Sequence, residues 1–216
     1  MTPNEITTLL ASQLDKTFDD PFKLMMIKRV DAWRSRLIKN SLDKEPKDRR
    51  FFRQTIYLSM TKVPEINCDL GFAVCDVAQS LKLPKVLRAN SIMFDYVGAI
   101  NGANPFQETY PGMIGYLNQG KYSSKLIQYS NINDTIVVYN KPTLPMIRVD
   151  AIWDNPFDVA NLICGALDDV TCNFWNLEYP CTNDILQQII EFIPQTMKLT
   201  PDEISVPVSP ETDILK

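Results

Sequence analysis

The chain has 216 residues, 45% hydrophobic and 22% charged, with a formal net charge of −4 and no histidine. That apolar fraction is enough for a real core and excludes disorder as the global state. The missing histidine excludes Ser-His-Asp and Cys-His catalysis, and no segment nears the roughly 18 uninterrupted apolar residues of a bilayer-spanning helix.

The first element carries its own start signal. Thr2 is placed to cap a helix, Pro3 occupies the first helical position and Glu5, three after the cap, completes a capping box. Ile6, Leu9, Leu10 and Leu14 then share one face, which predicts a helix over 3–16. A second start follows at Asp20–Pro21, and Met26, Val30, Trp33 and Leu37 step by four, three and four, predicting a helix over 21–40. Its opposite face carries Lys28, Arg29, Arg36 and Lys39. "SLDKEPKD" reads as a polar loop.

The period then changes. In "RQTIYLSMTKV", Ile56, Leu58 and Met60 alternate with Tyr57, Ser59 and Thr61, the two-residue repeat of a half-buried strand. The stretch from about Asp69 to Leu81 is compatible with a helix stopped by Pro84. "SIMFDYVGAI", "NDTIVVYNK" and "MIRVDAIW" are β-branched and aromatic, with turn chemistry at "NGANP" and "SNIND". A short helical turn fits within "ETYPGMIGYLNQGKYSS", and four or five antiparallel strands in a meander are the economical reading. Helices return with "NPFDVANLICGAL" and with a segment over 182–196. There Thr182 caps, Asp184 complements the helix dipole, and Ile185, Leu186, Ile189, Ile190 and Ile193 form the apolar stripe, with Pro194 expected to kink or end it.

The fold class these elements predict is α+β: N- and C-terminal helices packed together, an antiparallel β-region over 54–153 inserted between them, and all of 1–199 in a single domain. Residues 200–216 are acidic and proline-spaced without helical period, which predicts an extended arm whose contacts come from Ile204, Val206, Val208, Ile214 and Leu215.

Charge is unevenly distributed. Residues 23–53 hold eleven basic against four acidic side chains, +7, whereas residues 166–216 hold nine acids against two lysines, −7. Such asymmetry suggests partners of opposite sign, either nucleic acid or an acidic protein surface. The candidates for facing a subunit or DNA are Lys28, Arg29, Arg36, Lys39, Lys44, Lys47, Arg49, Arg50, Phe51, Phe52 and Arg53. Aromatics beside arginines suit protein–protein anchors better than duplex DNA.

Catalytic chemistry is sparse. No glycine-rich phosphate loop occurs, and none of the five cysteines forms a CxxC pair, so they read as small buried hydrophobes rather than metal ligands. The adjacent acids Asp19–Asp20 and Asp168–Asp169 read as helix caps before they read as ligands for a cation. No catalytic residue, metal or cofactor is expected, and the chain is read as not an enzyme.

Taken together, "RFFRQTIYLSMTKVPEINCDLGFAVCDVAQSLKLPKVLR" and "CNFWNLEYPCTNDILQQIIEFI" resemble virion structural proteins of crAss-like bacteriophages, specifically a ring of the head-to-tail connector below the portal. The resemblance covers about Arg50 to Phe192 and lies in overall texture: Arg–Phe–Phe before a strand, the Cys68/Cys75 segment leading into "KLPK", and a Tyr–Pro turn launching the last helix. It implies a homo-oligomeric ring, often twelvefold. Such a ring extends the DNA channel of the portal and presents a platform to tail proteins. It also implies a virion location after synthesis in the host cytoplasm, and it carries over no catalytic residue. In a ring every charge repeats around the axis, so the basic early segment of one copy is expected to meet the acidic late segment of the next. The alternative is a nucleic-acid-binding accessory protein using residues 23–53.

Overall fold

The computed structural model describes residues 1–16, 18–45, 49–63, 77–88, 92–110, 113, 126–139, 141, 143–167 and 173–199. The predicted helix at Asp69–Leu81 lies partly outside these residues, as do most of the segment 108–124 that was to hold a helical turn and all of the arm at 200–216.

Helix α1 spans Pro3–Leu14, and its capping box is formed on both sides: Glu5 N–H donates to Thr2 Oγ1 at 3.3 Å, and Thr2 N–H donates to Glu5 Oε2 at 2.8 Å. The helix stops two residues before the predicted end because Asp15 adopts a left-handed cap, φ 55°. Helix α2 spans Asp20–Lys44. Asp19, not Asp20, is its cap, accepting from Phe22 N–H at 2.8 Å, while Asp20 pairs with Lys23 at 3.5 Å. Both acids of that pair are thus used locally. The helix runs four residues past its predicted end, since Leu42 is fully buried and no breaker intervenes before Pro46.

Burial on α2 follows the suggested stripe fully only at Met26 and Val30. Phe22, Met26, Val30, Arg34, Ile38 and Leu42 are buried at strict four-residue steps. Each such step advances 40° beyond a full turn, so the buried line rotates by about 200° along the helix. Different partners therefore cover its two ends, whereas Trp33 and Leu37 are left half-buried at the border.

Helix α3, Arg49–Phe52, is a single turn between the predicted loop and the predicted strand, and it leads into β1, Gln54–Lys62. Ile56, Leu58 and Met60 of β1 are buried and Tyr57, Ser59 and Thr61 exposed, the predicted alternation. The next described element is a correction: Val77–Ser80, predicted helical, is strand β2, hydrogen-bonded between β1 and a later strand. A short strand inside a sheet, with Val77, Ala78 and Ser80 all buried, shows no alternation by which sequence could distinguish it from a helix.

The remaining strands are β3 (Tyr96–Gly98), β4 (Gln107–Glu108), β5 (Gln128–Ile132), β6 (Thr135–Tyr139) and β7 (Met146–Ala151). The sheet is not a meander. Its order is β3-β7-β1-β2-β6-β5-β4, antiparallel throughout except for the parallel β4–β5 pair. The β5–β6 hairpin turns on Asn133 and Asp134, both at positive φ (52° and 60°), the two-residue turn whose twist matches the strands.

Helix α4 spans Pro156–Leu167, a 3-10 turn covers Phe174–Asn176, and helix α5 spans Asn183–Leu199. Pro194 does not end α5; it sits buried inside the helix, which continues to Leu199. Helices α1, α2 and α5 pack on one another around Ile6, Leu10, Met26, Val30, Ile189 and Ile193, while Ile56, Leu58, Ile136, Val138, Ile147 and Trp153 centre a second core against the sheet. The protein is α+β, with its terminal helices packed together beside the inserted sheet. Among the described residues, no helix is long and apolar enough to cross a membrane.

Candidate subunit interface

The basic segment separates into an internal and an external set. Arg34, fully buried, donates from Nε to Pro180 O at 2.8 Å and from Nη1 to Trp153 O at 2.9 Å. Arg49, also buried, holds Asp95 through two bonds at 2.7 and 3.1 Å. Phe52 is buried in the helical core. Arg49 and Phe52, both expected to face a partner, are therefore inside the protomer: an arginine one turn before a strand meets the acid leading into β3 rather than solvent. Lys28, Arg36, Lys39, Lys44, Arg50, Phe51 and Arg53 are exposed and Arg29 is half-buried. Lys47 and the arm residues Ile204, Val206, Val208, Ile214 and Leu215 lie outside the described residues.

Of the exposed set, Lys44 and Phe51 line a groove between α2 and α5. Its wider end, about 570 Å³, lies between Leu37, Lys44, Phe51 and Ile185; its narrower end, about 330 Å³, lies between Trp33, Ile189 and Phe192. Leu37 and Gln188 line both, so the two adjoin along the α2–α5 seam. Phe51 is 55% exposed and Phe192 45%, a large apolar area to leave in water on a monomer. The aromatics are ordered by stacking: Trp33 and Phe192 meet edge-to-face at 4.6 Å, Arg36 lies over Trp33 at 5.2 Å, and Arg50 lies over Phe51 at 4.6 Å. Aromatics flanked by arginine around an apolar floor are the composition of a protein–protein anchor.

A family model for phage tail ring protein 2 matches residues 23–205, which takes in the groove and nearly every described element beyond α1. The chain belongs to that family. It is a structural protein of the tail region of crAss-like phages, carried in the virion, and a ring protein associates with copies of itself and with other tail proteins. No curated protein matches the chain.

In this ring protein the groove is held in place by a buried polar clamp. Arg34 ties the middle of α2 to Trp153, at the end of the sheet, and to Pro180, just before α5. One turn away, Tyr179 Oη donates to Asp31 Oδ1 at 2.6 Å. Ser35 adds a hydroxyl bond to Asp154 Oδ1 at 2.8 Å, and Lys85 pairs with the same carboxylate at 3.1 Å. Cys181 lies beside the clamp; burial pushes its thiol up to about 11, which keeps it protonated and unreactive.

Burial raises the Asp31 carboxyl to about 6, against the opposing bond from Tyr179 and the Arg34 charge. Its folded pKa thus exceeds the unfolded 3.8, so the native state holds the extra proton between these values and stability falls as pH rises from about 4 to 6. Asp150 and Asp154 act oppositely. Although burial disfavours their charge, hydrogen bonds from Arg148 and Thr55, and from Ser35 and Lys85, hold them below 3.8, so they withdraw stability only under about pH 4. Wild-type protein is expected to lose about 2 kcal/mol between pH 4.5 and 7, and Asp31→Asn to lose most of that slope, as read from urea midpoints at the two pH values.

Three features of the site escaped the sequence. Trp33 and Leu37, read only as part of the helix stripe, pack against the helical core and also line the groove. Phe192 went unremarked, although its place one residue off the isoleucine stripe was the available signal. Lys85 and Arg88 border a second cleft of about 410 Å³ with Lys39, but Asp134 and Asp154 lie in it too, and nothing in local sequence joins these segments. Among the described residues no cluster of potential ligands could hold a metal ion.

Proposed function

We propose that this protein forms a homo-oligomeric ring of the head-to-tail connector, in a structural rather than catalytic role. The ring stacks with the portal, extends its DNA channel and offers a platform to the next tail proteins. Twelve copies is the number the resemblance implies, with packaged DNA passing through the centre. The observation that carries the reading is the exposed aromatic–arginine groove on a member of a ring family. A protomer that leaves Phe51 and Phe192 half in water has an edge built for covering. Copies related by rotation close a ring through such a heterologous contact, in which two different patches meet. The acids Asp134 and Asp154 dilute the second cleft, so phosphate binding is the weaker use of the basic residues.

The test is negative-stain microscopy of the protein mixed with its portal and neighbouring tail proteins. Closed rings on the portal axis are expected. A chain that stays monomeric with those partners present, and is missing from purified virions, overturns the reading.

A further inference from the structure

We propose that the α2–α5 groove receives residues 204–208 of the adjacent copy, so that each protomer is strapped to its neighbour by its C-terminal arm. This rests on the ring reading and names the contact that closes it.

Three observations converge. The first is length. The groove follows α5 from Ile185 to Gln195, about 15 Å at helical rise. Ile204, Val206 and Val208 alternate with Ser205 and Pro207; in extended backbone they share one face over about 13 Å. Pro207 and Pro210 favour such a backbone and lower the entropy lost on docking.

The second is chemistry. The floor offers Leu37, Ile189 and half-exposed aromatics, sites for β-branched side chains. The triplet is flanked by Asp202 and Glu203 on one side and Glu211 and Asp213 on the other.

The third is polarity across the groove. Lys44 lines the α2 side, where Arg36 and Arg50 lie over the groove aromatics Trp33 and Phe51, and Asp184 and Glu191 line the α5 side. An acidic strand is therefore drawn to one wall and repelled from the other, which fixes how it lies. The arm leaves the far end of α5, so an arm that crosses to the next copy chains every protomer to the one beside it. An arm folded back on its own groove would link nothing.

Two variants, each adding one cysteine to a chain whose five native cysteines are replaced by serine, test this in full-length protein assembled with the portal. Gln188→Cys places a thiol in the groove and Val206→Cys one in the arm. Mixing the two is expected to give a disulfide-linked dimer at least five times above the background of either variant mixed with the cysteine-free chain. Ring formation is scored on the same samples by microscopy. Rings without that dimer overturn the strap and leave the ring reading standing; no rings at all overturns both. A double variant that cross-links only within its own chain also overturns the strap. In addition, Ile204→Ser, Val206→Ser and Val208→Ser together are expected to raise the protein concentration needed for half-assembly about a hundredfold. An unchanged concentration counts against the arm as anchor.

Discussion

Replacing Arg34 with alanine is expected to lower the free energy of unfolding by about 3–5 kcal/mol, measured by urea titration followed by circular dichroism. At this chain length that corresponds to a melting point lower by roughly 10 °C. The side chain is fully buried on α2 and reaches two backbone carbonyls, those of Trp153 and Pro180, which are 119 and 146 residues away. Truncation withdraws a charged donor from both carbonyls, opens a cavity, and removes the guanidinium lying 5.9 Å from the Tyr179 ring. It also leaves Asp31 without the nearby positive charge that opposes its protonation.

Arg34→Met separates packing from hydrogen bonding. Methionine refills most of the space and removes Nη2, a buried donor with no hydrogen-bond partner among the described residues, so its cost is expected to be about 2 kcal/mol smaller than that of alanine. Because Pro180 lies three residues before the start of α5, the same contact bears on where the groove opens. Both variants are expected to assemble less well than their residual folding explains, with alanine the worse. A loss under about 1 kcal/mol for alanine would show that the clamp is incidental.

What the sequence revealed, and what it hid, follows the range of the interactions. The α1 capping box joins residues three apart and was readable outright. The alternation of β1 reports one face against one core, and it too was legible. Strand β2 was not, because a central strand covered on both faces leaves no period. Arg34 was hidden differently. In the sequence it counts among eleven basic residues in a run whose surplus suggested a continuous binding face, yet its partners come from the ends of β7 and the approach to α5. A charged side chain is buried only where tertiary acceptors converge, and nothing within four residues announces that. The groove was half legible: Phe51 and the arginines were singled out, but Trp33 and Leu37, which pack against the core, also line it, and a helical stripe does not reveal where its burial stops. The 40° drift of the four-residue repeat on α2 was in the sequence all along. It says that the buried line turns away from those two residues.

The sharpest separation between a folding role and an assembly role falls on two adjacent arginines. Arg49→Ala is expected to destabilise the protomer by about 2–4 kcal/mol, because it breaks a bidentate, nearly buried pair and strands the Asp95 carboxylate, whose side chain is only 15% exposed. That pair fastens α3 to the residue entering β3, across 46 positions, so it sets the angle at which the helical layer meets the sheet. A double-mutant cycle with Asp95→Asn is expected to give a coupling of about 1–3 kcal/mol. Arg50→Ala should behave in the opposite way. Its guanidinium lies over the exposed ring of Phe51, outside the core, and its loss is expected to change stability by less than about 0.5 kcal/mol. Ring assembly, however, should weaken, with a stronger dependence on salt for wild type than for the variant. If Arg49→Ala leaves the urea midpoint in place while Arg50→Ala shifts it, the division of the basic segment into an inward and an outward set is wrong. If both leave the midpoint alone and both impair assembly, Arg49 belongs with the interface after all, and the Asp95 pair is only a resting contact released when copies meet.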